Sequence, residues 1–101
     1  MSYSPEDFLS VVDLFKALGS DKRIEILRLL FESPRCVHEL CSEINISQPL
    51  TSQHLRVLRE AHIIRVERKG RENVYHMSNT FVRQLILDAI EHRKAQKAVL
   101  D

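Results

Sequence analysis

The pattern of apolar and polar residues divides the chain into five helical segments and one hairpin. Helices are predicted where apolar residues recur at the spacing of a helix face, over residues 5–18, 21–31, 37–43, 47–60 and 79–96. A residue that commonly caps a helix precedes or opens several of these segments, namely Ser4, Ser20, Ser47 and either Ser78 or Asn79. Gly19 and the Ser33-Pro34 pair are typical of the breaks between helices.

The hairpin is predicted over residues 63–68 and 72–77, where apolar and polar side chains alternate. Gly70 lies between the two strands and can adopt the positive φ that a tight turn requires. The order of elements is therefore helix, helix, helix-turn-helix, hairpin, helix. We expect one mainly α domain over residues 1–101, with the helix-turn-helix at 37–60 and the hairpin at 63–77.

The first and last helices, residues 5–18 and 79–96, are apolar on more than one face. A helix of that kind is buried on several sides, and a chain of 101 residues has little interior in which to bury two of them. We expect these helices to pack against the same helices of a second copy, which gives a two-fold homodimer.

Composition agrees with a single folded domain, with 44% hydrophobic and 29% charged residues. The apolar runs are too short to cross a bilayer, and the first residues lack the basic segment of a signal peptide. We therefore expect a cytoplasmic protein with no membrane partner. An enzyme is the poorest fit, because neither a nucleophile with its base nor a glycine-rich phosphate loop can be identified.

The helix over residues 47–60 carries an unusual outer face. Leu50, Leu55, Val57 and Leu58 are expected to face the core. The side chains left for the outside are mostly amides, hydroxyls and guanidinium groups, which hydrogen-bond base edges and phosphates. The predicted DNA-binding residues of this helix are Ser47, Gln48, Thr51, Ser52, Gln53 and Arg56.

The hairpin tip adds Arg68, Lys69 and Arg71 to the predicted DNA-binding set. Residues 47–76 contain six basic and three acidic side chains, whereas residues 1–46 contain five basic and eight acidic ones. The positive charge is thus concentrated in the segment expected to meet phosphates.

Four segments together resemble the ArsR/SmtB family of winged-helix repressors: ALGSDKRI at 17–24, CVHELC at 36–41, QPLTSQHL at 48–55 and RKGR at 68–71. They are most similar to an actinobacterial, zinc-responsive SmtB-like subgroup. The resemblance implies a winged helix-turn-helix that binds a palindromic operator as a dimer and leaves it when a metal or metalloid ion binds.

Cys36, His38 and Cys41 are the first candidate sensor, because thiolate and imidazole ligands suit Zn(II) or another thiophilic ion. In the family, cysteines occupy these three positions, and His38 replaces the middle one here. We expect such an ion to act as an effector and not as a requirement for folding. The alternative is that Cys41 packs inward as a small apolar residue.

The resemblance also implies a second metal site on the last helix, at Asn79, Phe81, His92 and Ala95 in this sequence. Only His92 is a good ligand there, and Phe81 is expected in the core, so this site looks lost. Three further alternatives stay open: thiol oxidation as the signal, no small ligand at all, or a winged-helix protein-interaction module.

Overall fold

The computed structural model describes residues 2–100. Their secondary structure comprises six helices and three strands, in the order α1 Pro5–Ser10, α2 Val12–Leu18, α3 Asp21–Glu32, β1 Arg35–Cys36, α4 Val37–Ile44, α5 Gln48–Glu60, β2 Ile64–Lys69, β3 Glu72–Met77 and α6 Phe81–Leu100. The predicted fold class, mainly α with a small hairpin after a helix-turn-helix, is confirmed.

The first predicted helix, residues 5–18, is two helices, which corrects the sequence-based boundary. Ser4 caps α1 in a capping box with Asp7. The hydroxyl of Ser10 donates to the carbonyl of Asp7 at 2.6 Å, and Val11 turns its N–H to Leu9 instead. In an unbroken helix that Asp7 carbonyl would accept from Val11, so the Ser10 hydroxyl competes for this acceptor at the point where α1 ends.

A three-stranded antiparallel sheet in the order β1-β3-β2 closes the domain. β2 pairs with β3 from Ile64↔Met77 to Lys69↔Glu72, and Gly70 makes the turn with a φ of 62°. Strand β1 was not predicted from the sequence. It has two residues, too few for an alternating pattern, and it pairs with Tyr75 and Val74.

The core lies between α3, α4, α5 and the sheet. Helix α5 contributes Leu55 and Leu58, both almost fully buried. The other buried apolar side chains of this core are Ile26, Leu27, Leu29, Leu30, Leu40, Ile44, Ile64 and Tyr75, together with Ile63, which lies just before β2. This core fixes α4 and α5 against each other and against the hairpin.

Helices α1, α2 and α6 instead expose apolar side chains, among them Phe8 at 68%, Phe15 at 54% and Phe81 at 65%. The expectation that Phe81 lies in the core is therefore wrong for the single chain. Asn79 accepts the N–H of Phe81 at 2.9 Å, so the ring projects from the first turn of α6. Within residues 2–100, no helix is both long and apolar enough to span a membrane.

Candidate nucleic-acid interface

Helix α5 begins directly after a tight turn from α4. Asn45 ends α4 in the left-handed region, with a φ of 60°, and Ser47 accepts the N–H of Leu50 at 3.3 Å as the N-cap of α5. Pro49 fits because it lies in the first turn, where its missing N–H costs nothing. The turn therefore fixes where the first exposed side chains of α5 point.

The outer face of α5 is polar, as the sequence predicted. The exposed side chains on this face are Gln48, Ser52, Gln53 and Arg56. Arg56 forms an ion pair with Glu60, with 3.0 Å between Nε and Oε1. Both side chains are largely exposed, so the pair is weak and Arg56 can exchange Glu60 for a phosphate.

Thr51 does not belong to this face, which corrects its assignment as a DNA-binding residue. Its side chain is 0% exposed, and its hydroxyl donates to the carbonyl of Ser47 at 2.9 Å. Residues 51, 55 and 58 are spaced by four and three, so Thr51 shares the buried stripe with Leu55 and Leu58. Leu50, expected in the core, lies one position before this stripe and is 40% exposed.

The hairpin holds its basic side chains beside α5. Arg68 donates from Nε to the carbonyl of Gly70 at 3.1 Å and from a terminal nitrogen to Asn73 at 3.4 Å. Lys69 lies 3.5 Å from the carboxylate of Glu67, and Arg71 is exposed at the tip. The turn thus orients Arg68, whereas Lys69 is held only by an exposed ion pair.

A polar cleft of about 250 Å³ separates the start of α5 from the hairpin. It brings together residues that are far apart in sequence, among them Cys36, His38, Gln48, Ser52, Arg68 and Arg71. Four of these six are predicted DNA-binding residues, and the other two belong to the predicted metal site. The cleft has the polar lining and the basic side chains that a nucleic-acid backbone requires.

The two thiols are free and have different surroundings. Cys36 is the buried N-cap of α4, where its side chain accepts the N–H of Glu39 and its own N–H donates to Glu39 at 3.0 Å. The pKa of Glu39 is lowered because its carboxylate accepts the N–H of Cys36 and, to a smaller extent, a hydrogen bond from the Cys36 thiol. Cys41 lies on the core side of α4, and its Sγ donates to Thr51 Oγ1 at 3.2 Å.

These partners do not fit a preformed site for a metal ion. Cys36 and His38 line the cleft, but the Cys41 thiol points to α5. Among residues 2–100, no three histidine, cysteine or acidic side chains are grouped so that they could hold a metal ion. His92 is exposed on α6, in a shallow surface depression with Ala95, Gln96 and Val99.

The apolar face of α1, α2 and α6 is the second large surface. A trough of about 550 Å³ runs between α2 and α6, with Phe15, Leu18, Leu85, Ile86 and Ile90 in its lining. Arg93, Lys94 and Lys97 form its rim. An exposed apolar surface of this kind marks an interaction site, which agrees with the dimer expected from the sequence.

Residues 20–66 match the family described as "Bacterial regulatory protein, arsR family". The chain is 40% identical over 89 residues to the HTH-type transcriptional repressor SmtB of Mycobacterium tuberculosis, an alignment that covers 87% of this chain and 66% of SmtB. It is 38% identical over 72 residues to the arsenical resistance operon repressor of Escherichia coli K12, covering 70% of this chain and 62% of the relative. The chain therefore spans less than two thirds of the length of both relatives.

Among solved structures, the crystal structure of Rv0081 from Mycobacterium tuberculosis superposes with a TM-score of 0.79 at 33% identity. The superposition covers 97% of this chain and 95% of that one. The similarity therefore includes α1, α2 and α6 as well as the matched residues 20–66.

Proposed function

Because the chain belongs to the ArsR family of bacterial regulatory proteins, we propose that it is a sequence-specific DNA-binding repressor that acts as a two-fold dimer. The observation that carries this proposal is the joint placement of the polar face of α5 and the basic hairpin along one cleft. A helix presented in this way enters a major groove, and a two-fold dimer presents two such helices to a palindromic site.

The first two turns of α5 would read bases. Gln48 and Gln53 can each bond an adenine edge through both amide atoms, and Ser52 can bond either kind of base. All three side chains are exposed, and none is engaged in the hydrogen bonds that cap α5. They can therefore contact a duplex without a change in the fold.

The hairpin and Arg56 would contact the DNA backbone. Arg68 is already oriented by Gly70 and Asn73, and Lys69 and Arg71 add exposed charge beside it. Contacts of this kind position the protein but carry no sequence information directly. The N-terminus of α5 at Ser47 adds a favourable site for a phosphate.

The proposal is tested by selecting genomic fragments with the protein and measuring fluorescence anisotropy on a selected duplex and on a scrambled one. A repressor is expected to prefer its site by about 10³-fold or more at physiological salt. Its affinity should fall steeply as salt rises, because phosphate contacts release counterions. Equal binding to both duplexes would contradict sequence-specific recognition, and binding to neither would favour a winged-helix protein-interaction module.

We also propose that the inducing signal acts at Cys41. A thiophilic ion is the first candidate for that signal, since a relative is named for arsenical resistance. The thiol donates to Thr51 on the buried face of α5, so a ligand that takes the sulfur must first break this contact with the recognition helix. Cys36 and His38, at the other end of α4, would supply further ligands only if α4 moves relative to α5. Oxidation of the same thiol would break the same contact.

Titration of the reduced dimer with Zn(II), Cd(II) or As(III) tests the inducer, with thiolate absorbance and release of a labelled operator as readouts. Cys41→Ser is expected to abolish release, and Cys36→Ser to weaken it. Release that persists unchanged in Cys41→Ser would contradict the proposed site. Release by peroxide without added metal would identify oxidation as the signal.

A further inference from the structure

We propose that Arg23 is a positioning residue that connects the recognition helix α5 to the end of helix α2 through His54. This inference rests on the proposed function, because it assigns α5 to DNA and α2 to the dimer. It concerns neither the exposed row of α5 nor the cysteines. It concerns the side of α5 that carries His54 and contacts Arg23 of α3.

The side chain of Arg23 makes contacts in three directions. Its Nε donates to the carbonyl of Ala17 at 2.7 Å, and one terminal nitrogen lies 3.3 Å from the carbonyl of Lys16. The other terminal nitrogen donates to Nδ1 of His54 at 3.2 Å. One guanidinium group therefore contacts the last turn of α2 and the middle of α5.

The carbonyls on α2 need such a donor. Helix α2 ends at Leu18, and the last carbonyls of a helix have no partner within it. The carbonyl of Lys16 accepts the N–H of Gly19 at 3.2 Å. Ala17 is buried, and its carbonyl accepts from Arg23. Loss of the guanidinium would leave this carbonyl without its donor.

The position of Arg23 is itself fixed. Its N–H donates to the Ser20 hydroxyl that caps α3, at 3.3 Å, so its side chain leaves from the first turn of that helix. A guanidinium is planar and holds several N–H groups at set angles, which allows it to join three acceptors at once. A lysine ammonium keeps the charge but cannot reproduce this fixed geometry.

His54 lies next to Gln53 in the chain but on another side of α5. It is half-buried, and the adjacent cleft of about 310 Å³ is lined by Arg23, Val57 and Ala61. Any rotation of α5 that moves His54 also moves Gln53 relative to the DNA. Arg23 therefore sets the angle at which the exposed row meets the groove.

The bond requires a neutral imidazole. Arg23 is always a donor, so Nδ1 of His54 must accept and the ring proton must lie on Nε2. Burial lowers the pKa of His54, the Arg23 charge lowers it further, and Asp21 opposes both. The other charged residues of the adjacent cleft are Asp13 and Lys16 on α2 and Glu60 on α5.

The direction of the pH effect follows from this lowered pKa. The folded chain binds fewer protons at His54 than the unfolded chain below about pH 6.5, so the contribution of His54 to stability is lost as pH falls. Protonation removes the acceptor and places imidazolium against guanidinium. We expect specific DNA affinity to fall as pH decreases through the lowered pKa of His54 in the folded dimer, while the dimer persists.

The experiment compares four dimers, namely the unmodified chain, Arg23→Lys, Arg23→Gln and His54→Asn, on specific and scrambled duplexes between about pH 5 and 8. Arg23→Lys is expected to lower specific affinity about tenfold with an unchanged salt slope. The amide oxygen of Asn can replace Nδ1 and does not titrate. His54→Asn should therefore keep most of the DNA affinity and remove the part of its pH dependence that the imidazole causes.

Three outcomes would overturn the proposal. A reduced salt slope in Arg23→Lys would make Arg23 a phosphate contact. A pH profile unchanged by His54→Asn would show that His54 is not the titrating group. An altered dimer dissociation constant in both Arg23 variants would show that the residue acts on the interface alone.

A DNA-free measurement separates this proposal from the repressor assignment. NMR titration of the His54 ring should show a higher pKa in Arg23→Gln than in the unmodified dimer, because the neighbouring charge is gone. If that shift appears but the unmodified chain binds no DNA, the contact stands and the proposed function fails. If the chain binds its operator but the pKa shift is absent, the proposed Arg23–His54 contact is wrong and the repressor assignment is unaffected.

Discussion

The α5–hairpin surface and the face formed by α1, α2 and α6 are built in opposite ways. Helix α5 buries Thr51, Leu55 and Leu58 and exposes amides, hydroxyls and arginines. In α6, Val82 is the only buried side chain among residues 81–99, and Phe81 and Ile90 are exposed. The first surface is anchored by its own core, whereas the second leaves apolar area uncovered.

This difference indicates two kinds of partner. A polar, basic surface on a rigid base suits DNA, where hydrogen bonds and charge decide affinity. An uncovered apolar face suits a protein surface of similar composition, and a second copy of the chain supplies one. Substitutions on one surface can therefore be made without removing the side chains that build the other.

The largest effect is expected from Phe15→Glu, which places a charge in the apolar trough. The dimer dissociation constant should rise by about 100-fold or more, as for the loss of a central interface side chain. The monomer should keep its helix content, since Phe15 is 54% exposed. Sedimentation over a range of concentrations measures this.

Ser33→Glu is the matched control, because it adds the same charge at an exposed turn. It should leave the dimer intact. An unchanged dimer in Phe15→Glu would assign the apolar face to a different partner.

Gln53→Ala is expected to have the next largest effect, confined to the cognate duplex. Loss of one bidentate base contact costs about 1–3 kcal/mol of discrimination. Anisotropy on cognate and scrambled duplexes measures it, and Gln96→Ala on α6 is the control. Equal losses on both duplexes would remove Gln53 from the base-reading set.

Lys69→Ala should weaken binding to all DNA alike, with the salt slope reduced by about one. Lys22→Ala on α3 is the control, since Lys22 pairs with Glu25 at 3.7 Å much as Lys69 pairs with Glu67 at 3.5 Å. Anisotropy at several salt concentrations measures both variants. Sequence-selective loss in Lys69→Ala would contradict a backbone role.

Thr51→Val is expected to have the smallest effect on DNA. It removes the hydroxyl that joins Cys41 to Ser47, which should lower the free energy of unfolding by about 1 kcal/mol. Urea denaturation measures this, with the exposed Thr80→Val as the control. A loss of DNA affinity without a loss of stability would show that the contact between Cys41 and Thr51 itself sets the position of α5.

The order of elements and most of the exposed row of α5 could be predicted because they depend on local periodicity. Cap residues such as Ser20 and Ser47, and the turn at Gly70, also act within a few residues of themselves. The predicted site residues Gln48, Ser52 and Arg68 lie on one cleft because the helix and hairpin were placed correctly. Their DNA-binding roles remain predictions.

The errors arose where one side chain or one position decides the outcome. Thr51 carries a hydroxyl at a core position. Only the packing of α4 against α5 shows that the Cys41 thiol donates a hydrogen bond to this hydroxyl. The break at Val11 coincides with a single bond from the Ser10 hydroxyl to the Asp7 carbonyl. Residue type alone favours the surface for Thr51 and an unbroken helix across Val11.

The sequence by itself determined the succession of helices and strands, the local excess of positive charge and the two apolar terminal helices, since these follow from neighbours along the chain. The tertiary structure alone decided that Cys41 contacts Thr51 and that Arg23 joins α2 to His54. The second of these contacts spans 31 positions of sequence. Its partners meet only because the packed core brings α2, α3 and α5 together. The apolar periodicity of each helix does not predict which helices lie side by side.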